Sequence, residues 1–128
     1  LIKCPTNSEI LVISAGVPFS EAYKAVENLA TQGIFASLID LFSIKPFDKS
    51  GVIEAANKSG KKIIVFEESY KAGSIYETVC GELALEDIKV HGVYIDDIPT
   101  CGKPLEMLNH FGLSSSKIEE KLKCILGK

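Results

Sequence analysis

The feature that most restricts what this chain can fold into is an alternation. Near-continuous apolar runs, rich in β-branched residues, take turns with segments whose apolar residues recur at helical spacing. "EILVISAG" (9–16), "IFASLIDL" (34–41), "KKIIVFEE" (61–68) and "VHGVYID" (90–96) are the runs. A strand apolar along its whole length is buried on both faces, as in a parallel sheet covered by helices on two sides. With short strand-to-helix connections, the pattern is that of an α/β chain. The sequence therefore predicts a three-layer α/β/α sandwich with a mostly parallel sheet of four to five strands. "LIKCP" at the start is expected as the optional fifth strand, antiparallel at an edge. All 128 residues are expected in a single domain. A chain of this length buries roughly two thirds of its unfolded surface, enough for a core without metal or disulfide staples.

The intervening segments carry their own start and stop signals. Residues 18–33 place Ala22, Ala25, Val26, Leu29 and Ala30 at helical spacing. Pro18 suits the first turn, where its missing N–H costs nothing, and Gly33 suits the left-handed position past the end. In "SIKPFDKS", Pro46 pushes Lys45 away from helical angles, and Asp48 is expected to cap a helix over 49–58 that stops at Gly60. Ser74 precedes Glu77 by three residues, the spacing of a capping box. Behind it Ile75, Val79, Leu83 and Ala84 are expected to face the sheet. Gly81 costs that helix about 1 kcal/mol against alanine and is expected to permit close packing on a strand. Two helices end the chain, over 104–112 and after Ser116, where Glu119 suggests a second capping box. Ile118, Leu122 and Ile125 form the apolar stripe of the last one.

Several function classes drop out. A net charge of −3 argues against nucleic acid or an anionic membrane as partner, because both require concentrated basic surface. No apolar run approaches the ~20 residues that span a bilayer, and "LIKCPTNSEI" lacks signal-peptide architecture. Cys4, Cys80, Cys101 and Cys124 are far apart and form no C-x-x-C pair. They are expected to be buried or idle thiols in a reducing, cytoplasmic compartment. The one methionine is Met107, so Leu1 is not expected to be a natural start and the chain reads as part of a longer protein.

In parallel α/β folds ligands bind beyond the carboxyl ends of strands, where strand order reverses. That directs attention to "SAGVP", "LFSIKPFD", "EESYKAGS" and "DDIPTCGKP". Ser14, Gly16, Glu67, Glu68, Gly73 and Ser74 are the candidate residues of a crevice or small-anion site. Neighbours on a strand point to opposite faces, so Glu67 and Glu68 are not expected to act together as an acid/base pair. One of them is expected to turn beneath the sheet's end and accept backbone N–H bonds, the alternatives being a ligand or subunit contact, or plain exposure. Gly73-Ser74 opens a helix whose free N–H groups could hold an anion. There is neither a G-x-G-x-x-G after the first strand nor a Walker sequence, and no serine lies in a G-x-S-x-G elbow. His91 lies within a strand and His110 in the last turn of a helix, where the dipole favours it. No catalytic residue and no metal ligand emerges.

Taken together, "LIDLFSIKPFD" (38–48), "IVFEESYKAGSIYETV" (64–79) and "IPTCGKPLEMLNHFGLS" (98–114) resemble the C-terminal domain of transketolases, in order and spacing, over nearly the whole chain. The same fold closes the beta subunits of 2-oxo acid dehydrogenases, but the compact "IPTCGKPLEML" favours transketolase. The resemblance implies two-carbon ketol transfer from a ketose phosphate to an aldose phosphate, with thiamine diphosphate and a divalent metal, Mg or Ca, in a homodimer. It also implies that the cofactor residues lie in the preceding domains, so that this domain binds none and is inactive alone. Relatives carry a glycine-rich run after the acidic pair. Here Ser69, Ser74 and Tyr76 stand in it, and they are expected to narrow any crevice. A small-anion or nucleotide-binding module, seated on the helix starts near Pro18 and Ser74, is the rival reading from another class.

Overall fold

A computed structural model describes residues 1–128. In chain order the elements are β1 (Ile10–Ser14), α1 (Val17–Thr31), β2 (Ala36–Asp40), α2 (Lys49–Asn57), β3 (Lys62–Tyr70), α3 (Ile75–Glu82), β4 (Lys89–Ile95), α4 (Pro104–His110) and α5 (Ser115–Leu126). All four strands run parallel, in the order β2-β1-β3-β4. Side chains alternate across the sheet and so divide the core in two. Ile10, Val12, Ile64 and Phe66 pack with Ala22, Leu29, Ile118 and Leu122 of α1 and α5. Leu11, Ile13, Ile63 and Val65 pack with Val52, Ala56 and Val79 of α2 and α3. Helix, sheet and helix make three layers. Each fully buried aliphatic or aromatic side chain contributes about 1.5–3 kcal/mol.

The sheet has four strands, within the four to five expected, and one strand expectation is corrected. The start of the chain makes only a single antiparallel bridge, Lys3 to Leu38 on the β2 edge, because Pro5 has no N–H with which to extend a ladder. β4 is half-exposed along nearly its whole length rather than buried on both faces. It is the other edge of the sheet and has one strand neighbour.

The helix signals read from local sequence hold at several ends. Pro18 lies in the first turn of α1, and Gly33, with φ 77°, follows its C-cap. The Asp48 carboxylate accepts the Gly51 N–H at 3.0 Å and caps α2. Three readings change. Gly81 is exposed and a β-carbon there would meet nothing, so it does not bring α3 toward a strand. Ala84 lies past the end of α3 and is exposed. The last helix starts at Ser115, and its N-cap residue, Ser114, makes no side-chain cap. Glu119 instead accepts a hydrogen bond from the Asn28 side chain at 2.9 Å. The helix start is satisfied from across the layer, where the Glu21 carboxylate of α1 accepts the Ser115 N–H at 2.9 Å.

Candidate functional site

From β1 the chain moves to β2 on one side and then crosses to β3 on the other, so strand order reverses between the carboxyl ends of β1 and β3. That is where an open parallel sheet offers a ligand crevice. Here Ala15–Pro18 and the Glu67–Ile75 segment wall a crevice of about 430 Å³. Gly16 has φ 67° and ψ −141°, a backbone state that side-chain-bearing residues reach only with strain, and it turns β1 into α1. Of the six candidate residues, Gly16, Glu67, Glu68, Gly73 and Ser74 line this crevice. Ser14 does not, since it is fully buried and its hydroxyl donates to the Phe66 carbonyl at 2.7 Å, tying β1 to β3.

The two carboxylates part company as strand alternation requires. Glu68 is exposed, whereas Glu67 is 4% exposed. Glu67 Oε2 accepts the Ile75 N–H at 2.9 Å and the Ser69 hydroxyl at 2.7 Å, and its Oε1 accepts the Tyr76 N–H at 2.8 Å. Ser74 caps the same helix, its hydroxyl accepting the Glu77 N–H at 3.0 Å. The returning half of the capping box is displaced by one residue, because Glu77 accepts the N–H of Gly73, at 2.8 Å, and not that of Ser74. The Ser74 N–H donates to the Lys71 carbonyl at 3.2 Å.

Every amide at the start of α3 thus has an acceptor from the protein itself, and a carboxylate occupies the position a phosphate oxygen would take. An added anion would have to displace Glu67 from these partners. At the start of α1, Pro18 has no N–H to offer and the Phe19 N–H donates to the Gly16 carbonyl at 3.2 Å. The same arrangement does not fit thiamine diphosphate, whose diphosphate needs free donors. No group of three or more His, Cys, Asp and Glu side chains is arranged to hold a metal ion.

Of the residues expected to narrow the crevice, Ser69 and Ser74 line it and Tyr76 does not. Tyr76 lies on β4 over Gly92, with its ring centroid 5.3 Å from that of Tyr94 and the Lys71 ammonium about 6 Å from both rings (6.0 and 5.9 Å). The readable signal was a glycine inside a strand, which marks a close approach. His91 is half-buried on β4. Burial, followed by the charges of Lys89, Lys121 and Lys62, holds its imidazole below the usual histidine range. His110 ends α4 with its ring edge-on to Phe111, centroids 4.9 Å apart. Neither histidine reaches the crevice. The four cysteines are free thiols, three of them exposed and Cys80 half-buried. No helix is long and apolar enough to cross a membrane.

Residues 1–118 match the family model described as the transketolase C-terminal domain. Mouse transketolase-like protein 2 is 42% identical over 119 residues, covering 92% of this chain and 19% of that protein. Bovine transketolase-like protein 1 is 39% identical and covers all of this chain and 22% of its own length. Mouse transketolase is 31% identical over 95% of this chain and 20% of its length. The chain therefore spans about a fifth of the length of these relatives. Among solved structures, an inactive β4 tetramer of a split-gene transketolase superposes with a TM-score of 0.83 at 24% identity, covering 91% of this chain and 39% of that one. Transketolase from Campylobacter jejuni superposes at 0.66 and 19% identity, over 98% and 18%. Those two likenesses establish the fold.

Proposed function

This chain belongs to the transketolase C-terminal domain family, and from that premise we propose that it acts as the C-terminal domain of a transketolase-like enzyme that transfers two-carbon ketol units from a ketose phosphate to an aldose phosphate. In this reading it supports the subunit and the homodimer and is inactive alone. Thiamine diphosphate and its divalent metal, which supply the carbanion chemistry, belong to the preceding domains. The observation that carries the reading is Glu67. In the position where an open parallel sheet receives a ligand, the protein's own carboxylate engages the amides of α3. The naming of the split-gene relative, an inactive tetramer, supports the inactivity of this part on its own.

The test has two arms. The purified 128-residue chain, given thiamine diphosphate, magnesium, a ketose phosphate and an aldose phosphate, should form no product; turnover by it alone overturns the reading. A chimera in which these 128 residues replace the matching segment of mouse transketolase should remain dimeric and transfer ketol units. A folded chimera that is monomeric or inactive also overturns it.

A further inference from the structure

β4 is the outer strand of the sheet, with β3 as its one strand neighbour. From Val90 to Ile95 its backbone makes no hydrogen bond outside the ladder with β3. The outward N–H and C=O groups along this edge are therefore free, and such an edge is a template for another strand. A row of cations runs beside it. Side chains alternate across a sheet, so Lys89, His91 and Val93 share the α5 face with Lys62, the register partner of Lys89. From α5, Lys117, Lys121 and Cys124 stand opposite and, with Val93 and Gly112, wall a hollow of about 350 Å³. The charges that reach His91 are those of Lys89, Lys121 and Lys62. Glu120 also lines the hollow, but its carboxylate accepts from the Lys117 ammonium at 2.8 Å. Lys62, Lys89 and Lys121 form no ion pair.

Free main chain and unpaired cations on the same edge select the occupant. A small anion would meet lysines strung along the strand and would leave the backbone edge open. A second copy would bring its own row of lysines to the edge, like charge against like. We propose that β4 takes up an extended acidic peptide as an additional strand, its backbone pairing with the outer edge and its carboxylates lying beside Lys62, Lys89 and Lys121. Alternate side chains of the added strand point toward α5, and the hollow beside Val93 has room for one of them. The proposed function stands or falls separately.

The 128-residue chain is titrated with a fluorescent peptide of alternating glutamate and valine, about eight residues long. Binding is read by anisotropy, and its place by amide chemical shifts. The acidic peptide should bind and shift the amides of β4, whereas its counterpart with lysine in place of glutamate should not bind. N-methylation of alternate residues should weaken it by about tenfold or more. Lys89→Glu and Lys121→Glu should each weaken it by about fivefold, and the two together should admit the lysine peptide. Lys45→Glu, on the loop after β2, should leave binding unchanged. All three positions are exposed, and unchanged circular dichroism and melting temperature confirm that the variants fold. No binding of the acidic peptide, equal binding of its N-methylated form, an equal loss in Lys45→Glu, or shifts centred away from Val90–Ile95 overturns the proposal. Self-association of the chain through β4, with no binding of the peptide, makes a second copy the occupant and likewise overturns it.

Discussion

Replacing Glu67 by alanine removes three accepted hydrogen bonds at once, from the Ile75 and Tyr76 amides and the Ser69 hydroxyl. The hydroxyl can rotate to another partner, but the two amides are fixed by the helix. Each buried donor left without an acceptor costs about 1–3 kcal/mol, so the substitution should destabilise the chain by about 2–6 kcal/mol. The crevice beside Glu67 admits water, which favours the lower half of that range. Against a domain stability of about 5–15 kcal/mol, the loss is readily measured by urea unfolding followed by far-ultraviolet circular dichroism. Glu67→Gln keeps one carboxamide oxygen but turns an NH₂ group toward the second amide, and should fall between alanine and wild type. The alanine variant should also gain an anion site, since two helix-start amides become free. Inorganic phosphate at ten times its dissociation constant should then restore about 1.4 kcal/mol and leave wild type unaffected. A cost below about 1 kcal/mol, or equal stabilisation of both proteins by phosphate, would refute the assignment of Glu67 as the built-in partner of α3.

Three further outcomes are expected. A β-carbon at Gly92 would lie 2.5 Å from Tyr76 Cδ2 and 2.8 Å from its Cγ. Gly92→Ala should therefore cost about 1–3 kcal/mol by overpacking and nearly nothing in a Tyr76→Ala background, whereas equal cost in both backgrounds would show that the ring is not what the glycine accommodates. The Lys24 ammonium, with the Ser115 N–H assisting and burial opposing, holds the Glu21 carboxyl below the usual range. Its contribution is present above the unfolded value of about 4.3 and is lost as pH falls through the lower folded value. Glu21→Gln should be about 1–2 kcal/mol less stable than wild type at pH 7, the gap closing in acid, and a gap unchanged down to pH 3 (roughly, well below the unfolded value) would exclude this origin. His91 binds its proton more weakly folded than unfolded. Stability should therefore decline as pH drops below about 6.5, and His91→Gln should flatten that limb in unfolding curves taken on either side of it.

The crevice and the fold were legible to different degrees. Glu67, Glu68, Gly73 and Ser74 were readable as one strand end and helix start because they lie within eight positions of each other, and strand alternation alone separated the two carboxylates. Which of them turns inward was not readable, because that depends on where α3 begins relative to the end of β3. The second capping box failed for a related reason. Ser116 and Glu119 have the right spacing, yet the acceptor used by α5 is Glu21, 94 residues away.

Signals acting within about a turn or a pleat were complete in the primary structure: the apolar runs of the strands, Pro18 and Gly33 at the ends of α1, Asp48 before α2, and Ser74 before α3. Each depends on backbone geometry that a few neighbouring residues set among themselves. The exposed edge of β4 with its row of cations, the seating of Tyr76 on Gly92 and the pairing of Glu21 with α5 were decided only in three dimensions. They join segments whose separation along the chain carries no local energy, and they exist because packing two helical layers on one sheet brings those surfaces together.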